Sequence, residues 1–492
     1  MVAVITETHA YVADANLGVR SVPLCVDLDG TVIKSDLLWE SALTLLKQDW
    51  RKIFSLPIWL LRGRARCKHE IAKRAKINAT TLPYDESLVA RLRAEHDSGR
   101  EIVLVTAANR ELANRVAMHL DVFTAVHASD EYINLKGNAK ANLLRELFGP
   151  GNFDYIGDSR ADVPIWRIAR SAFVANPTRD IEIAARNSSQ DVVVIGEPRP
   201  AVLRTLPKAM RLHQWLKNLL VFIPLATSHQ LSVSSFFDCV FACIAFSLCA
   251  SGVYILNDLF DLQSDRAHPR KRMRVLASGL LPISIGFAAV PFLLGASALI
   301  GALLPTRFQL ILLAYFLATC AYSFYLKRIV LVDVVILAGL YTLRVIAGAA
   351  AIRVEPSFWL LAFSMFLFFS LALVKRSAEL TVQNRNNKPI TEGRGYRTAD
   401  HEYLHSMGTA SGYLAVLVIA LYINSPQVTQ LYSEPRALWL LCPLLLYWTS
   451  RMWLKAGRGE MHDDPLVFSA LDPVSQKILA LCGAAILLAI YL

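Results

Sequence analysis

The chain has little charge for its length: 18% of its 492 residues are Asp, Glu, Lys or Arg, whereas 54% are hydrophobic. This balance excludes an intrinsically disordered chain, and the length predicts more than one domain. The eight cysteines form no Cys-x-x-Cys pair and no zinc spacing. They therefore indicate small core residues in reducing surroundings.

The two parts of the chain differ in charge. Residues 1–198 hold 25 Lys and Arg against 25 Asp and Glu, whereas residues 199–492 hold 26 against 15, so the net charge of +11 lies in the second part. The basic residues of that part fall between long apolar runs, which favours a membrane surface and anionic ligands over nucleic acid. We expect no nucleic-acid partner.

Nine apolar stretches follow, each close to the length that crosses a bilayer. They cover about 217–231, 235–256, 280–303, 308–324, 329–351, 357–374, 407–424, 436–453 and 475–492. Lys and Arg are frequent before the first stretch and after every second one, while the intervening loops carry only Arg307, Arg353 and Arg436. This asymmetry predicts a multi-pass protein of a bacterial-type plasma membrane with its N-terminus inside. The first ten residues show no basic region followed by an apolar one, so we expect a cytoplasmic N-terminal domain rather than a secretory signal.

Polar residues in the first part follow predicted buried strands, at the edge where open α/β sheets bind ligands. They are Asp27, Asp29, Thr106, Asp158 and Asp162, and Lys140 opens a helical stretch between two of the strands. Phosphoryl transfer needs a nucleophile, a proton shuttle, groups that hold the phosphate and oxygen ligands for Mg²⁺. This ordered set supplies all of them.

Over about residues 20–195 the chain resembles the haloacid dehalogenase-type phosphatases. The resemblance implies an α/β Rossmann-like domain over 1–198, with a substrate-selecting cap over about 36–85. A degenerate scaffold that only regulates is the alternative.

The same resemblance implies a role for each motif residue. Asp27 would be the nucleophile and Asp29 the general acid/base. Thr106 and Lys140 would hold the phosphate. The implied Mg²⁺ ligands are Asp27, Asp29, Asp158 and Asp162.

The second part carries an aspartate-rich motif at the end of its second apolar stretch. On a continuous helix Asn257, Asp261 and Asp265 lie at i, i+4 and i+8 and share one side, which gathers oxygen ligands for Mg²⁺. Lys271 and Arg274 follow in a basic cluster that suits a diphosphate. The alternative is a solvated helix end with ordinary positive-inside charge.

Across about residues 205–492 this motif resembles the UbiA-type intramembrane prenyltransferases. The resemblance implies an all-α polytopic bundle of about nine transmembrane helices over 199–492. Aromatic prenyltransferases of this superfamily carry a second acidic motif, but here Lys327 stands in the corresponding stretch between Tyr322 and Asp333. That pattern is similar to the decaprenyl-phosphate 5-phosphoribosyltransferase branch.

The branch resemblance implies attack of a polyprenyl phosphate on phosphoribosyl pyrophosphate, with Mg²⁺ as cofactor and Asp261 and Lys327 as catalytic residues. The fused phosphatase domain would remove the 5-phosphate and give polyprenyl-phosphoryl ribose, an arabinose-donor precursor. The implied substrate-binding residues are Lys217, Asn218, Lys271, Arg274, Tyr322, Asp333, Arg344, Lys375, Arg376, Glu379, Asp463 and Asp464.

Two other functions stay open at this point. One is a prenyltransferase that uses a prenyl diphosphate and an aromatic or other acceptor, and the other is a lipid-binding or regulatory membrane protein. His401-Glu402-Tyr-Leu-His405 also matches the HExxH zinc signature, but without a third ligand it is more consistent with polar residues at a helix start. The sequence does not determine the oligomeric state.

Overall fold

The computed structural model of the chain describes residues 22–61, 63–228, 232–385, 395–461 and 464–491. The chain forms two compact units. The first comprises the described residues up to Val202 together with Leu262–Ile283, and the second comprises Leu203–Asp261 and Ser284–Leu492.

A six-stranded parallel sheet forms the centre of the first unit, with the strand order β3-β2-β1-β4-β5-β6. Its strands are β1 (Leu24–Val26), β2 (Ile102–Asn109), β3 (Ala125–Ser129), β4 (Asp154–Gly157), β5 (Ala172–Ala175) and β6 (Val192–Ile195). Because every neighbouring pair is parallel, helical crossovers must cover the faces of the sheet.

Helices pack on both faces of the sheet. They are α1 (Leu37–Gln48), α2 (Leu56–Leu61), α3 (Arg64–Arg74), α4 (Glu86–Asp97), α5 (Arg110–Leu120), α6 (Asn138–Phe148), α7 (Val163–Trp166) and α8 (Arg179–Arg186), with 3-10 turns at Trp50–Ser55, Ala79–Thr81 and Arg160–Asp162. Alternation along β1 sends Leu24 and Val26 into one core and Cys25 into the other. The helices α1 to α3 lie between β1 and α4, in the region predicted to form the cap.

The second unit is helical. Its helices are α9 (Val202–Met210), α10 (Ile223–Thr227), α11 (Val233–Phe260), α13 (Ile283–Gly301), α14 (Thr306–Phe324), α15 (Val332–Ala351), α16 (Phe358–Arg385), α17 (His401–Ile423), α18 (Pro426–Leu431), α19 (Leu441–Gly457), α20 (Pro465–Leu471) and α21 (Pro473–Tyr491); α12 (Leu262–Ala267) belongs to the first unit. Further 3-10 helices cover Leu212–Phe222, Lys271–Met273, Leu326–Arg328, Thr398–Asp400 and Pro435–Leu440.

Within the part of the chain that the structure describes, seven helices are long and apolar enough to cross a membrane. They correspond to seven of the nine predicted spans. The first predicted span instead forms a 3-10 helix and the short α10, where Pro224 lies in the first turn. The eighth forms a 3-10 turn followed by the 17-residue α19.

The predicted continuous helix through the aspartate-rich motif is wrong in one respect. Helix α11 ends at Phe260, Asp261 is its C-cap residue, and α12 begins at Leu262. Asn and Asp are weak helix formers because their side chains compete for backbone hydrogen bonds. Asn257 therefore lies on α11, Asp261 caps that helix, and Asp265 lies on the separate helix α12.

Candidate active sites

The first candidate site lies where the strand order of the sheet reverses, between β1 and β4. Asp27 follows β1 and Asp158 follows β4, so both occupy the carboxyl edge at which such sheets bind ligands. The backbone N–H of Asp27 donates to the Ile156 carbonyl at 3.0 Å, which continues the pairing of the two strands. Asp27, Asp158 and Asp162 each offer an oxygen within 4.8 Å of the others.

Lys140 reaches this carboxylate group from the start of α6. Its Nζ lies 3.0 Å from Asp27 Oδ1 and donates to the Tyr155 hydroxyl, also at 3.0 Å. Tyr155 in turn donates to Asp162 Oδ1 at 2.8 Å. The other Asp162 oxygen accepts the backbone N–H groups of Asp158 and Ser159, so Asp162 supports both the lysine and the loop.

The remaining two predicted residues lie at the same edge of the sheet. Asp29 follows Asp27 by two residues, and its Oδ1 accepts the Leu37 backbone N–H at 2.9 Å. Thr106 is buried in β2, and its Oγ1 accepts the backbone N–H of Ala108 at 3.0 Å. The hydroxyl hydrogen of Thr106 is thus left to point toward another acceptor.

Burial of these acidic groups strongly affects their ionisation. It raises the pKa of Asp29 well above the ordinary value and also raises that of Asp27, although Lys140 opposes the change. Burial likewise raises the pKa of Asp158 to about 7, against the opposing charge of Arg199. Clustered carboxylates that are costly to ionise are stabilised by a bound cation, and an all-oxygen donor set suits Mg²⁺.

The sequence patterns do not predict two side chains of this site. Tyr155 links Lys140 to Asp162, but a tyrosine within a buried strand carries no signal of such a role. Arg199, the first residue after the predicted N-terminal domain, places Nη2 2.9 Å from Asp158 Oδ2 and also donates to the Gly30 carbonyl. The preceding Glu197-Pro198 offered no pattern that would predict this contact.

The second candidate site is built around Lys327 in the helical unit. Its Nζ donates to Asp261 Oδ2 at 3.1 Å and to Asn257 Oδ1 at 3.3 Å. The Asn257 amide also donates to Asp261 Oδ2 at 3.1 Å. The structure thus brings together two members of the aspartate-rich motif and the lysine that stands in the place of a second acidic motif.

A buried carboxylate holds two further predicted lysines. Asp464 Oδ2 lies 2.8 Å from Lys217 Nζ and 3.0 Å from Lys375 Nζ, and both Asp464 oxygens accept the Tyr341 hydroxyl. Burial disfavours the ionised form of Asp464, but the two lysines outweigh it and hold its pKa well below the usual range. Asp463 lies outside the described residues.

Arg376 is buried and makes three side-chain hydrogen bonds. It donates to Asp333 at 2.5 Å, to Glu379 at 2.7 Å and to the Tyr322 hydroxyl at 2.8 Å. Tyr396 donates to the second Asp333 oxygen. Four predicted substrate-binding residues therefore form one mutually satisfied network.

Arg344 is also engaged by the protein. It donates to Asn218 Oδ1 and to the Tyr315 hydroxyl, each at 2.8 Å, and to the Leu340 carbonyl. Its guanidinium lies 5.7 Å from the centre of the Tyr341 ring. These contacts hold Arg344 and Asn218 beside Tyr341, the residue that binds Asp464.

The remaining predicted residues belong to the first unit. Arg274 Nη1 donates to Asp265 Oδ2 at 2.6 Å, and Lys271 is exposed in the same segment.

The HExxH histidines lie in α17 of the second unit, where His401 contacts the hydroxyls of Ser377 and Thr381. Among the described residues, the group able to ligate a metal includes neither His401 nor His405.

Comparison with known proteins follows this division of the chain. Residues 219–460 match the UbiA prenyltransferase family, and residues 24–167 match the haloacid dehalogenase-like hydrolases. The decaprenyl-phosphate phosphoribosyltransferase of Mycobacterium tuberculosis is 33% identical over 243 residues, which are 48% of this chain and 78% of that protein. The chain belongs to the UbiA prenyltransferase family.

This family member carries the hydrolase domain at its N-terminal end. A Sinorhizobium fredii protein, y4nM, is similar over both parts: it is 36% identical over 476 residues, which are 96% of this chain and 91% of that protein. A UbiA homologue from Archaeoglobus fulgidus, solved with GPP and Mg²⁺, has a TM-score of 0.44 at 16% identity and covers 57% of this chain and 99% of its own.

Proposed function

We propose that the helical domain transfers 5-phosphoribose from phosphoribosyl pyrophosphate to a polyprenyl phosphate, and that the N-terminal domain then removes the 5-phosphate. The product would be polyprenyl-phosphoryl ribose, a precursor of arabinose donors. The named function of the mycobacterial relative supports the first step. The phosphatase-like site on the same chain supports the second.

The contact of Lys327 with Asn257 and Asp261 carries this proposal. A donor that bears a diphosphate needs one metal-binding motif, and a phosphate on the acceptor needs fixed cations. A lysine held against the motif supplies such a cation at the place where a second pair of carboxylates would bind a second metal diphosphate.

The transfer needs no general base because the acceptor phosphate is already ionised. Its oxygen attacks C1 of the ribose, the C1–oxygen bond to pyrophosphate breaks, and pyrophosphate leaves with the bond's electrons. Mg²⁺ on Asn257, Asp261 and Asp265 would stabilise the charge that develops on the leaving group.

Lys217 and Lys375 are the best placed of the predicted cations to bind the remaining phosphate. They point at one carboxylate, Asp464, which sets their spacing. Arg344 and Arg376 each donate to three protein acceptors, so we assign them to the positioning of Tyr341 and of Lys375. Phosphate and Asp464 would share the lysine donors, since each ammonium group has three.

In the phosphatase step Asp27 attacks phosphorus and forms an aspartyl-phosphate while the ribose oxygen leaves. Asp29, whose pKa is raised by burial, delivers the proton to that oxygen. Water then attacks the phosphorus and gives a proton to Asp29, the bond to Asp27 breaks, and inorganic phosphate leaves. Lys140 and Thr106 hold the phosphoryl oxygens. Mg²⁺ would neutralise their charge from Asp27, Asp158 and the Asp29 loop, while Asp162 holds Lys140 through Tyr155.

The distribution of Lys and Arg supports a cytoplasmic position for the N-terminal domain in a bacterial plasma membrane. The ribosylated lipid would then reach both domains from one side of the membrane. Fusion raises the effective concentration of the intermediate at the second site.

The test incubates purified chain with Mg²⁺, a polyprenyl phosphate and phosphoribosyl pyrophosphate, and identifies the lipid by mass. The wild type is expected to give the ribosylated lipid without the 5-phosphate. Asp27→Asn should accumulate the phosphorylated form, and Asp261→Asn should form neither. Asp238→Asn, on the same helix as Asn257, serves as the control.

Each failure points to a different error. A wild-type product that keeps its 5-phosphate contradicts the assigned phosphatase substrate alone. If no ribosylated lipid forms, but a prenyl diphosphate is consumed with an aromatic acceptor, the transferase assignment is wrong.

A further inference from the structure

A buried ion pair joins two segments of the first unit that are far apart in sequence. Arg266 Nη2 lies 2.6 Å from Glu40 Oε1, and Arg266 Nη1 donates to Glu40 Oε2 at 3.1 Å. Only 6% of the Arg266 side chain and 4% of the Glu40 side chain are exposed. The pair is therefore bidentate and shielded from solvent.

Two more contacts continue this junction. The Gln263 side-chain amide donates to the Thr44 hydroxyl at 3.2 Å, one helical turn beyond Glu40. Gly279 has a φ of +75°, and a Cβ there would lie 2.7 Å from both the Cβ and the carbonyl oxygen of Lys34. The segment Leu262–Ile283 is thus packed against Lys34 and α1 at both of its ends.

Helix α1 is a firmly anchored support. Asp36 caps its first turn by accepting the N–H groups of Leu38 and Trp39. The N–H of Leu37 is bound by Asp29, a residue of the phosphatase site. The surface that receives Arg266 therefore begins within one helical turn of that site.

The segment on the other side of the pair carries transferase motif residues. Asp265 precedes Arg266 directly, and Arg274 donates to Asp265 at 2.6 Å. The boundary between the two units falls inside the aspartate-rich motif, between Asp261 and Leu262. Asp265, the proposed third ligand of the motif, therefore lies in the first unit.

We propose that Glu40, a residue of the phosphatase domain, is a positioning residue of the transferase: through Arg266 it fixes Asp265 and Arg274 for the diphosphate of the donor. This inference rests on the proposed function. It assigns the segment Leu262–Ile283 an interaction surface on α1 and makes the transferase depend on its fused partner domain.

The energetics make this dependence strong. A buried arginine that loses its carboxylate partner is left with an uncompensated charge, which is far costlier than loss of an exposed pair. In Glu40→Gln the segment would release Arg266 toward water. Asp265 and Arg274 would then lose their fixed position while their chemistry stays intact.

The first experiment measures hydrogen exchange of residues 262–283 in the full chain without substrate. Glu40→Gln and Arg266→Gln should each increase exchange there, and the charge swap Glu40→Arg/Arg266→Glu should restore part of the protection. Glu182→Gln breaks an exposed pair with Arg186 and is the control. Unchanged exchange in both single variants would overturn the proposed surface.

The second experiment measures transferase kinetics. Both single variants should raise KM for phosphoribosyl pyrophosphate by about 5- to 150-fold, the usual range for coupled sites, with a smaller change in kcat. Release of phosphate from a small soluble ester should stay within twofold of wild type, which shows that the phosphatase fold is intact.

Gly279→Ala tests the position of this segment independently, because it leaves the ion pair in place and forces the segment away from Lys34. It should also raise KM for phosphoribosyl pyrophosphate. A normal KM in all three variants would reject the positioning role, whereas a wild type that lacks transferase activity but shows the exchange result would reject only the proposed function.

Discussion

Gly30 is the residue at which the loop after β1 depends most directly on the absence of a side chain. Its φ is +78°, and a Cβ there would overlap the Asp158 carboxylate. Gly99 has a similar φ of +82° but open space around it. A substitution at Gly99 therefore adds backbone strain alone, whereas a substitution at Gly30 adds both backbone strain and steric overlap.

We expect Gly30→Ala to lower phosphatase activity more than about tenfold, which needs a barrier increase of only about 1.4 kcal/mol. Gly99→Ala carries the backbone strain alone, about 1–2 kcal/mol, and should keep wild-type activity. Phosphate release from a soluble ester and thermal unfolding check both variants. Equal activities would show that Asp158 moves aside freely.

Asp158 also gives a prediction for pH. Burial raises its pKa from 3.8 to about 7, so the folded state favours the protonated carboxyl and this group makes the fold less stable as pH rises across that interval. Mg²⁺ at the proposed site would bind the ionised form and should remove that penalty. The gain in melting temperature on adding Mg²⁺ is therefore expected to be larger near pH 8 than near pH 5.

Asp158→Asn is the matched control because it cannot ionise. Its melting temperature should respond weakly to Mg²⁺ at both values of pH. A wild-type response that is the same at both would contradict a role for Asp158 in binding the cation.

At the scale of elements, α20 depends on the residue before it. Asp464 accepts the Leu466 N–H as the cap of this helix while it pairs with Lys217 and Lys375. The Asp464 carboxylate therefore both caps α20 and pairs with the two lysines. The segment that begins at residue 464 should respond as a whole when that carboxylate is removed.

We expect Asp464→Ala to lower the free energy of unfolding by about 3–5 kcal/mol, because it leaves the buried ammonium group of Lys217 and the partly buried one of Lys375 without their shared carboxylate. The KM for polyprenyl phosphate should rise with it. Glu460→Ala, which breaks a half-exposed pair with Lys455, should cost about 1 kcal/mol or less. Denaturation in detergent measures the free energy of unfolding, and steady-state kinetics measure KM. Equal losses of stability in the two variants would contradict the importance of the pairing of Asp464 with its two lysines.

Local patterns predicted the fold classes of both parts of this chain. Polar residues after predicted buried strands, together with the family resemblance, predicted the α/β sheet, and hydropathy located seven helices that the structure confirms as long enough to span. Two predicted spans were not confirmed because Pro224 and the turn at 435–440 shorten their helices. The break at Asp261 was missed because motif spacing alone does not show where a helix ends.

Contacts between distant residues were not predictable from these patterns. Glu40 and Arg266 are 226 positions apart, and each alone resembles an ordinary charged residue on a helix. Lys327 could be singled out because it stands where the family resemblance implies a carboxylate. The hydrogen-bonded network around Arg376 could not be predicted, because the positive charge of this residue would equally suit a bound phosphate.

At the scale of the whole molecule, the asymmetry of Lys and Arg gives a prediction of topology. A protease recognition sequence inserted after Gly99 should be cut only in inverted membrane vesicles. The same sequence inserted after Glu434 should be cut only in right-side-out spheroplasts. Cleavage of both insertions from one side would contradict the N-inside arrangement.

The discontinuity of the first unit has a consequence for synthesis. The strands and helices up to Val202 leave the ribosome before Leu203–Asp261, a stretch of 59 residues that includes α11. At about 5–20 residues per second, roughly 3–12 s pass before Leu262–Ile283 becomes available. During that interval Glu40 lacks its partner Arg266, so this junction of the first unit can form only after the first long membrane helix has been made.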